Sequence, residues 1–377
     1  MAIRTFTRRF FIIATIITVA VFLMAAANAF LHPDKWWFFA ILGLAFPFLL
    51  LLTLVFLVGW LLVKSRWALL PAIALLLGFT NIRALVGFHF NADLALKKKE
   101  NTLRILTWNV KWFDEQKRDE DDEKRAGYRP QMLDFIKASD ADVLCFQEYY
   151  EPGLNGTYSN IRDISKMGYP YYYRSVDYGR KGSRYEMGCA IFSRYPILDS
   201  GIIVYTGPVK LRAAESLIWC DLNVNGQTMR VYTTHLQSVL LQKKDYRDLA
   251  IIRNAEDSMV EASKSIIRKL KQGYSLRGDQ VDIVREQLDK CPFPEVICGD
   301  FNDVPNSYTY FRIRGDRRDA FVERSAGLGR TFSGLSPTLR IDYIMADKKF
   351  DVDQYKRSVL PYSDHYPVIA DLRLKNR

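Results

Sequence analysis

The residues best suited to chemistry in this chain are histidines and carboxylates at the ends of apolar, strand-like runs. The chain has only four histidines, and His235 and His365 are the two that follow the apolar N-terminal region. His235 ends the run Val-Tyr-Thr-Thr-His, and His365 follows Asp364 in Ser-Asp-His-Tyr-Pro. An imidazole beside a carboxylate is a base that can be oriented and tuned near neutral pH. The pattern indicates a general-base site.

Carboxylates and amides end several other strand-like runs, where a core could not accept them unpaired. Each has a structural reading when taken alone: Asn109 could cap a turn, Asp300 to Asp303 could form an Asx turn, and Asp342 could be a structural acid. The whole set, in chain order, is Asn109, Glu148, His235, Asp300, Asn302, Asp342, Asp364 and His365.

Together these groups provide what phosphoester hydrolysis needs. Oxygen ligands such as those of Glu148, Asp300, Asn302 and Asp364 suit Mg²⁺ or Mn²⁺. The amides of Asn109 and Asn302 can hold a phosphoryl oxygen without adding negative charge. The oxygen-rich set therefore predicts a metal-assisted phosphoesterase.

Other chemistries lack their signatures. No Gly-x-Ser-x-Gly elbow or Walker loop is present, which disfavours acyl transfer and P-loop nucleotide hydrolysis. The five cysteines are odd in number and lie mostly in apolar runs, so we expect free core residues rather than a disulfide framework. No Cys-x-x-Cys or His-x-x-x-His spacing supports a structural zinc site.

Three apolar stretches fill the N-terminal region. They cover residues 10–30, 36–63 and 67–80, and the third reaches the roughly 20 residues of a membrane span only with residues 81–86. The first could instead be a signal peptide, because arginines precede it and Ala27-Asn-Ala29 resembles a cleavage site. Either reading places the C-terminal domain outside the cytoplasm, and the basic flanks agree with the positive-inside rule. We expect a multi-pass protein of a bacterial-type inner membrane.

Composition divides the chain of 377 residues into parts. We predict a membrane anchor of two to three transmembrane helices at 1–90, a lysine-rich linker at 91–101 and a catalytic domain at 102–377. Residues 1–96 hold seven basic and two acidic residues, which leaves 46 basic and 40 acidic residues for the remainder. A net charge of +6 on the remainder permits an anionic partner without specifying one.

Short strand-like runs outnumber helices after residue 102. Asn225-Gly226 between two such runs is the strongest short hairpin signal. Helices are predicted at 129–139, 242–271 and 278–290, with a break between the last two. Strands are predicted at 103–110, 142–146, 188–193, 216–224, 228–236, 295–298, 341–345 and 367–372. The pattern predicts an α+β domain in which two packed sheets carry helices outside them.

Six short motifs of the chain resemble, in type and order, those of the endonuclease/exonuclease/phosphatase superfamily. They are Trp108-Asn109-Val110, Gln147-Glu148, Thr234-His235-Leu236, Gly299-Asp300-Phe301-Asn302, Ile341-Asp342-Tyr343-Ile344 and Ser363-Asp364-His365-Tyr366-Pro367. The resemblance covers about residues 102 to 374. It implies a four-layered αββα sandwich of the deoxyribonuclease I type, preceded here by the N-terminal transmembrane helices.

The resemblance also implies that one side of the site binds a metal ion, and we call it the metal side. Glu148 would be the main Mg²⁺ (or Mn²⁺) ligand, Asn109 would help it, and Asp364 would complete that side. Asp300 and Asn302 would bind phosphate and position the nucleophile.

The resemblance assigns different roles to the two histidines. His365 would be the general base for the attacking water, oriented by Asp342. His235 occupies a position where deoxyribonuclease-like members and inositol-phosphate phosphatases carry histidine and abasic-site endonucleases differ, and it would bind the phosphate or protonate the leaving group. Glu186 is the candidate for a carboxylate that supports His235.

The substrate is left open by the family resemblance, since members act on nucleic acids and on lipid or inositol phosphates. Arg174, Arg180, Lys181 and Arg184 alternate with tyrosines and could grip a phosphate backbone, with Arg184 as a substrate-binding residue. The alternative for this loop is a solvated surface. We expect the bilayer and a phosphate-ester substrate, either nucleic acid or a lipid head group, as partners, and infer no protein partner. A catalytically inactive, membrane-tethered binding module is the alternative function.

Overall fold

The computed structural model describes residues 2–90, 98–118, 127–153, 156, 158–179, 185–205, 216–239, 259–334 and 336–375. These residues form two compact units. The helical unit contains the described residues of 1–86, 239–279 and 304–312. The sheet unit contains those of 87–238, 280–303 and 313–377.

The N-terminal apolar runs form helices in the helical unit. These are α1 (Ala2–Ala27), α2 (Pro33–Leu62), α3 (Leu69–Leu77) and α4 (Phe79–Leu85). Phe6–Ala27, with 22 residues, and Pro33–Leu62, with 30, are each long and apolar enough to cross a membrane. The third run is bent by 62° between Arg66–Leu77 and Phe79–Leu85, so it could cross only as a broken span.

A seven-stranded sheet in the sheet unit carries one half of the predicted site. Its strands are β2 (Leu103–Asn109), β3 (Val143–Pro152), β4 (Tyr171–Arg174), β5 (Tyr178–Gly179), β6 (Tyr185–Ser193), β14 (Phe350–Arg357) and β15 (Val368–Leu374). The order is β14-β15-β2-β3-β6-β4, with β5 also paired to β6. Because β2 and β3 are parallel neighbours, Asn109 lies opposite Gln147, next to Glu148.

A six-stranded sheet carries the other half. Its strands are β7 (Ile197–Ile203), β8 (Leu217–Val224), β9 (Gln227–His235), β10 (Glu295–Asp300), β11 (Arg318–Asp319) and β13 (Asp342–Ala346), in the order β11-β13-β10-β9-β8-β7. The predicted hairpin joins β8 to β9, and its two turn residues, Asn225 and Gly226, have φ values of 53° and 88°. A small separate ribbon pairs β1 (Gly87–Phe88) with β12 (Ala326–Gly327).

Helices α5 (Arg129–Ala138) and α6 (Asn160–Lys166) and the C-terminal end of α7 (Met259–Asp289) lie on the outer faces of the two sheets. Two shorter helices are α8 (Tyr308–Arg314) and α9 (Ala320–Arg324), and Phe321 of α9 belongs to the core between the sheets. Met132 of α5 and Ile164 of α6 pack against the seven-stranded sheet. Gln287 of α7 accepts a hydrogen bond from the Tyr232 hydroxyl of β9 at 3.2 Å. These contacts produce the predicted order of layers, helix–sheet–sheet–helix.

Apolar side chains from the inner faces of both sheets form the central core. Ile105 and Val143 of one sheet, for example, belong to the same buried cluster as Val231 and Val296 of the other. Each of these four side chains is at most 1% exposed. The described cysteines are free, as predicted, and four of them are buried.

The predicted break before Gly278 is wrong. Helix α7 runs without interruption from Met259 to Asp289, whereas residues 242–258 of the predicted helix lie outside the described residues. Gly278 serves close packing, because a β-carbon there would approach Pro33 Cγ to 2.7 Å. A glycine inside a long amphipathic helix can thus be required by a segment of the same chain that packs closely against it, and need not mark a helix end.

A buried ion pair joins β2 to β15 and generates a stability prediction. Arg104 Nε and Asp371 Oδ1 are 2.6 Å apart, and the side chains are 6% and 1% exposed. Replacing one partner leaves the other charge buried and unpaired, so we expect Arg104→Met to lower the free energy of unfolding by about 3–5 kcal/mol. Chemical denaturation of the full chain in detergent, followed by circular dichroism, measures this change. Lys348→Met, which removes an exposed pair with Asp316, is the control. Equal unfolding midpoints for the two variants would contradict the prediction.

Candidate active site

Three predicted residues form a row across the edge of the six-stranded sheet. Asp300, at the end of β10, lies opposite His235 of the parallel neighbour β9. It also lies opposite Asp342 of the antiparallel neighbour β13. Strand register therefore brings together residues that are far apart in the sequence.

The Asp300 carboxylate is the centre of this row. It is 1% exposed. Its Oδ2 atom accepts a hydrogen bond from Asn109 Nδ2 at 3.1 Å and lies 3.6 Å from Nε2 of both His235 and His365. Its Oδ1 atom accepts the backbone N–H of Asn302 at 2.9 Å. A carboxylate removed from water needs such partners, because its burial alone is costly.

His365 and Asp342 form a buried imidazole–carboxylate pair. His365 Nδ1 lies 3.0 Å from Asp342 Oδ2, and the Asp342 backbone is held by Thr331 Oγ1, which accepts its N–H at 3.1 Å. Burial alone would lower the pKa of His365, but the charges of Asp342 and Asp300 outweigh burial and raise that pKa to about 10. The pair therefore stabilises the imidazolium, the form that His365 reaches after it takes up a proton.

Asn109 and Glu148 belong to the seven-stranded sheet, and Asn109 connects that sheet to the Asp300 carboxylate. Asn109 Nδ2 donates to Glu148 Oε1 at 3.1 Å as well as to Asp300, so one amide joins two carboxylates. Glu148 has a φ of 50° and lies in an irregular part of β3, where the register against β6 shifts between Phe146 and Tyr149. Such bulges re-aim a side chain beside a site.

Asp364 lies next to His365 and is bound by a lysine. Lys111 Nζ donates to Asp364 Oδ2 at 2.6 Å, and the Lys111 backbone N–H donates to Asn109 Oδ1 at 3.1 Å. Burial would raise the pKa of Asp364, but the positive charges of His365 and Lys111 outweigh it and lower that pKa. Asp364 is therefore anionic at neutral pH and linked through Lys111 to Asn109.

The turn that carries Lys111 has an unusual backbone. Lys111, Trp112, Phe113 and Asp114 have φ values of 44°, 57°, 54° and 63°, although none is glycine. The left-handed region costs such residues roughly 1–2 kcal/mol each, and strain of this kind clusters at functional sites. Phe113 is fully buried, which holds the turn in place.

Sequence reasoning missed the residues that fix these groups. Gln147 Nε2 donates to Thr107 at 3.1 Å and to Thr233 at 2.8 Å, so it bridges the two sheets below the site. Ser363 Oγ donates to the Asn109 carbonyl at 2.9 Å and accepts the His365 N–H at 3.1 Å. Both residues lie within the motifs that contain Glu148 and His365, and this proximity was the signal in the sequence that could have identified them.

The structure connects most of the predicted site residues through these contacts. They are Asn109, Glu148, His235, Asp300, Asn302, Asp342, Asp364 and His365. Arg184 lies outside the described residues, together with the rest of the basic segment 180–184. Glu186, the carboxylate predicted to support His235, forms an ion pair with Arg174.

Comparisons with known proteins agree with this architecture. The family model described as endonuclease/exonuclease/phosphatase family matches residues 106–365. A second model, described only as a domain of unknown function, matches residues 8–85. No curated protein matches the chain.

Solved structures show the same fold at low sequence identity. An endonuclease/exonuclease/phosphatase from Beutenbergia cavernae is 21% identical with a TM-score of 0.50, over 73% of this chain and 72% of that one. One from Bacteroides vulgatus is 17% identical with a TM-score of 0.50, over 73% and 100%. The human Nocturnin catalytic domain is 16% identical with a TM-score of 0.50, over 74% and 97%. The chain belongs to the endonuclease/exonuclease/phosphatase family.

Proposed function

We propose that this protein is a membrane-anchored, divalent-metal-dependent phosphoesterase whose soluble part hydrolyses a nucleic acid or a lipid-type phosphate ester. The observation that carries the proposal is the buried Asp300 carboxylate, which joins the predicted metal side at Asn109 and Glu148 to the two histidines. An inactive binding module would not need a buried imidazole–carboxylate pair such as His365 and Asp342, whose Nδ1 and Oδ2 atoms are 3.0 Å apart, beside this carboxylate.

The donor set fits a hard cation. Glu148 and Asp300 each place a carboxylate oxygen 3.1 Å from the same amide nitrogen of Asn109, and oxygen donors are what Mg²⁺ and Mn²⁺ prefer. Glu148 and Asn109 would hold the cation, and Asp364 would join them if Lys111 released it. A bound cation would polarise a phosphoryl oxygen and neutralise developing charge.

Asp300, Asp342 and His365 also place ligand atoms within 4.8 Å of one another. We favour an acid–base role for this group, because Asp342 already holds His365 Nδ1 and leaves only Nε2 to face Asp300.

The proposed reaction uses the two histidines differently. His365 Nε2 takes a proton from the attacking water, and Asp342 keeps the ring in the orientation and tautomer that expose this nitrogen. His235 binds the phosphate or protonates the leaving oxygen, and Asp300 with Asn302 positions the phosphate. Because Asp300 lies 3.6 Å from the Nε2 atoms of both histidines, it can stabilise either imidazole ring in its doubly protonated, positively charged form.

Metal dependence is the first test. We expect EDTA to abolish release of product from phosphodiester and phosphomonoester substrates, and added Mg²⁺ or Mn²⁺ to restore it, because the proposed ligands are oxygens. EDTA already saturated with Mg²⁺ is the control for nonspecific effects of the chelator. Full activity in EDTA, or restoration by Zn²⁺ alone, would refute the assignment. A substrate panel of DNA, RNA, phospholipid and polyprenyl phosphate distinguishes the substrate classes.

The histidine mechanism predicts a pattern among variants. His365→Ala and His235→Ala should each lower kcat by about 100- to 10,000-fold, the usual contribution of general acid–base groups. Asp342→Asn should match His365→Ala, and the double variant should be no worse than either, since the two residues act as a unit. His89→Ala, at an exposed histidine, is the matched control. Near wild-type kcat in either site variant, measured with folding verified by circular dichroism, would overturn the two-histidine mechanism.

Orientation in the membrane is a separate prediction. Arg4, Arg8 and Arg9 lie at the N-terminal end of the first apolar helix, and Lys64 and Arg66 follow the second, so we propose that these ends face the cytoplasm. We propose further that the bent third run, residues 66–85, crosses the membrane once more and leads to the outside. Protease added to intact spheroplasts should then remove the C-terminal part, as an antibody against it would detect, while a cytoplasmic marker stays uncut. Cleavage only after lysis would show the opposite orientation.

A further inference from the structure

The helical unit contains two segments that adjoin site residues in the chain. Residues 304–312 begin directly after Asp303, which ends the Gly-Asp-Phe-Asn-Asp motif. Residues 259–279 end directly before Gln280, whose Oε1 atom accepts the Gln237 N–H at 2.8 Å, two residues after His235. The chain therefore passes directly from the site loop that ends at Asp303 into the unit that holds the N-terminal helices, and helix α7 leads from that unit to Gln280, which contacts the segment after His235.

Hydrogen bonds among three buried asparagines connect residue 306 to the N-terminal helical region. Asn28, Asn81 and Asn306 are 1%, 2% and 1% exposed. Asn28 Nδ2 donates to the Asn306 carbonyl at 2.8 Å, and Asn306 Nδ2 donates to the Ala25 carbonyl at 3.0 Å. Asn81 Nδ2 donates to Asn306 Oδ1 and, at 3.1 Å, to the Ala26 carbonyl. We call these three residues the asparagine cluster.

Gly43 of α2 lies directly against the asparagine cluster. A β-carbon there would come within 2.5 Å of Asn28 Nδ2 and 3.2 Å of the Asn306 carbonyl oxygen. Gly59 of the same helix has no atom within 4 Å of such a position. The close approach at Gly43 is therefore a local requirement of the cluster rather than a general property of α2.

The second segment is held by the start of α2. Ser275 Oγ donates to Asp34 Oδ1 at 2.6 Å, and Gly278 packs against Pro33 and His32. The His32 ring also packs against Tyr308 of the first segment, with centroids 5.0 Å apart. One short stretch of the N-terminal region thus contacts both segments.

The loop after β10 is also fixed at its other end. The Tyr343 hydroxyl donates to the Asp303 carbonyl at 2.8 Å, and the Tyr343 ring stacks on Phe301 at 5.0 Å. The backbone between Asp303 and Asn306 is short, so a displacement at Asn306 must be absorbed within a few residues of Asn302.

We propose that the N-terminal helices position the catalytic loop, and that Asn28, Asn81 and Asn306 are positioning residues for Asp300 and Asn302. The inference rests on the proposed phosphoesterase activity and assigns a role to the region that matches a domain of unknown function. A cluster that merely joined helices would not need to include a residue that follows the site motif so closely. A displacement of Asn306 would leave buried amides of this cluster without hydrogen-bond partners, which is unfavourable and therefore holds the loop in one geometry.

A matched pair of glycine variants tests the proposal in the full-length protein in nanodiscs. We expect Gly43→Ala to lower kcat by up to about 100-fold, the effect of a misplacement of roughly 1 Å, with little change in KM. Hydrogen exchange of residues 300–306 should also become faster. Gly59→Ala should leave kcat and exchange unchanged. Asn306→Ala, which removes contacts without adding a clash, should behave as Gly43→Ala and provides the comparison if that variant fails to fold.

The outcomes separate this proposal from the proposed function. Equal kcat and equal exchange in Gly43→Ala and Gly59→Ala, with an active and EDTA-sensitive wild type, would overturn the positioning role alone. Faster exchange without loss of kcat, or loss of kcat without faster exchange, would overturn it as well. A wild type that hydrolyses no phosphate ester would refute the proposed function, and with it the catalytic purpose of the cluster.

Discussion

The burial of one carboxylate, that of Asp300, constrains the rest of the site. At 1% exposure it has little access to water, so it must be surrounded by donors and positive charge. Asn109 comes from one sheet and His235 from the other, and His365 lies just before the last strand. Two sheets must therefore be held at a fixed distance for a single buried carboxylate to keep its partners. The groups that meet this electrostatic requirement are also the groups that the proposed hydrolysis uses.

Polar contacts inside the sandwich provide that fixed distance. Apolar packing between the sheets contributes most of the cohesion, but it is not directional. Gln147 adds direction, because its amide binds Thr107 in its own sheet and Thr233 in the other. Its neighbour Glu148 is re-aimed by a bulge, so the amide points into the interface and the carboxylate joins Asn109. The motif Gln-Glu thus combines a structural and a chemical residue in adjacent positions.

Strand ends and the hairpin could be predicted because local signals determine them. An apolar run that stops at Asp300 or His235 marks a sheet edge, and Asn225-Gly226 suits a turn with two positive φ values. The left-handed turn from Lys111 to Asp114 could not be predicted, since its residues avoid this conformation and only tertiary contacts impose it. The unbroken helix through Gly278 was missed for a similar reason: the neighbour that requires glycine is more than 200 residues away in the sequence.

The asparagine cluster limits how freely the N-terminal region can be exchanged or removed. Apolar helices taken from an unrelated membrane protein would retain the length of the N-terminal helices but would not present the same partners for Asn306. A recombinant fragment that starts after the linker would keep Asn306 and Tyr308 while losing Asn28, Asn81 and His32. Such a fragment exposes amides and an aromatic ring that the intact chain buries or packs. The N-terminal helices therefore fold together with residues 304–312, and a variant that lacks these helices must also replace Asn306 and Tyr308.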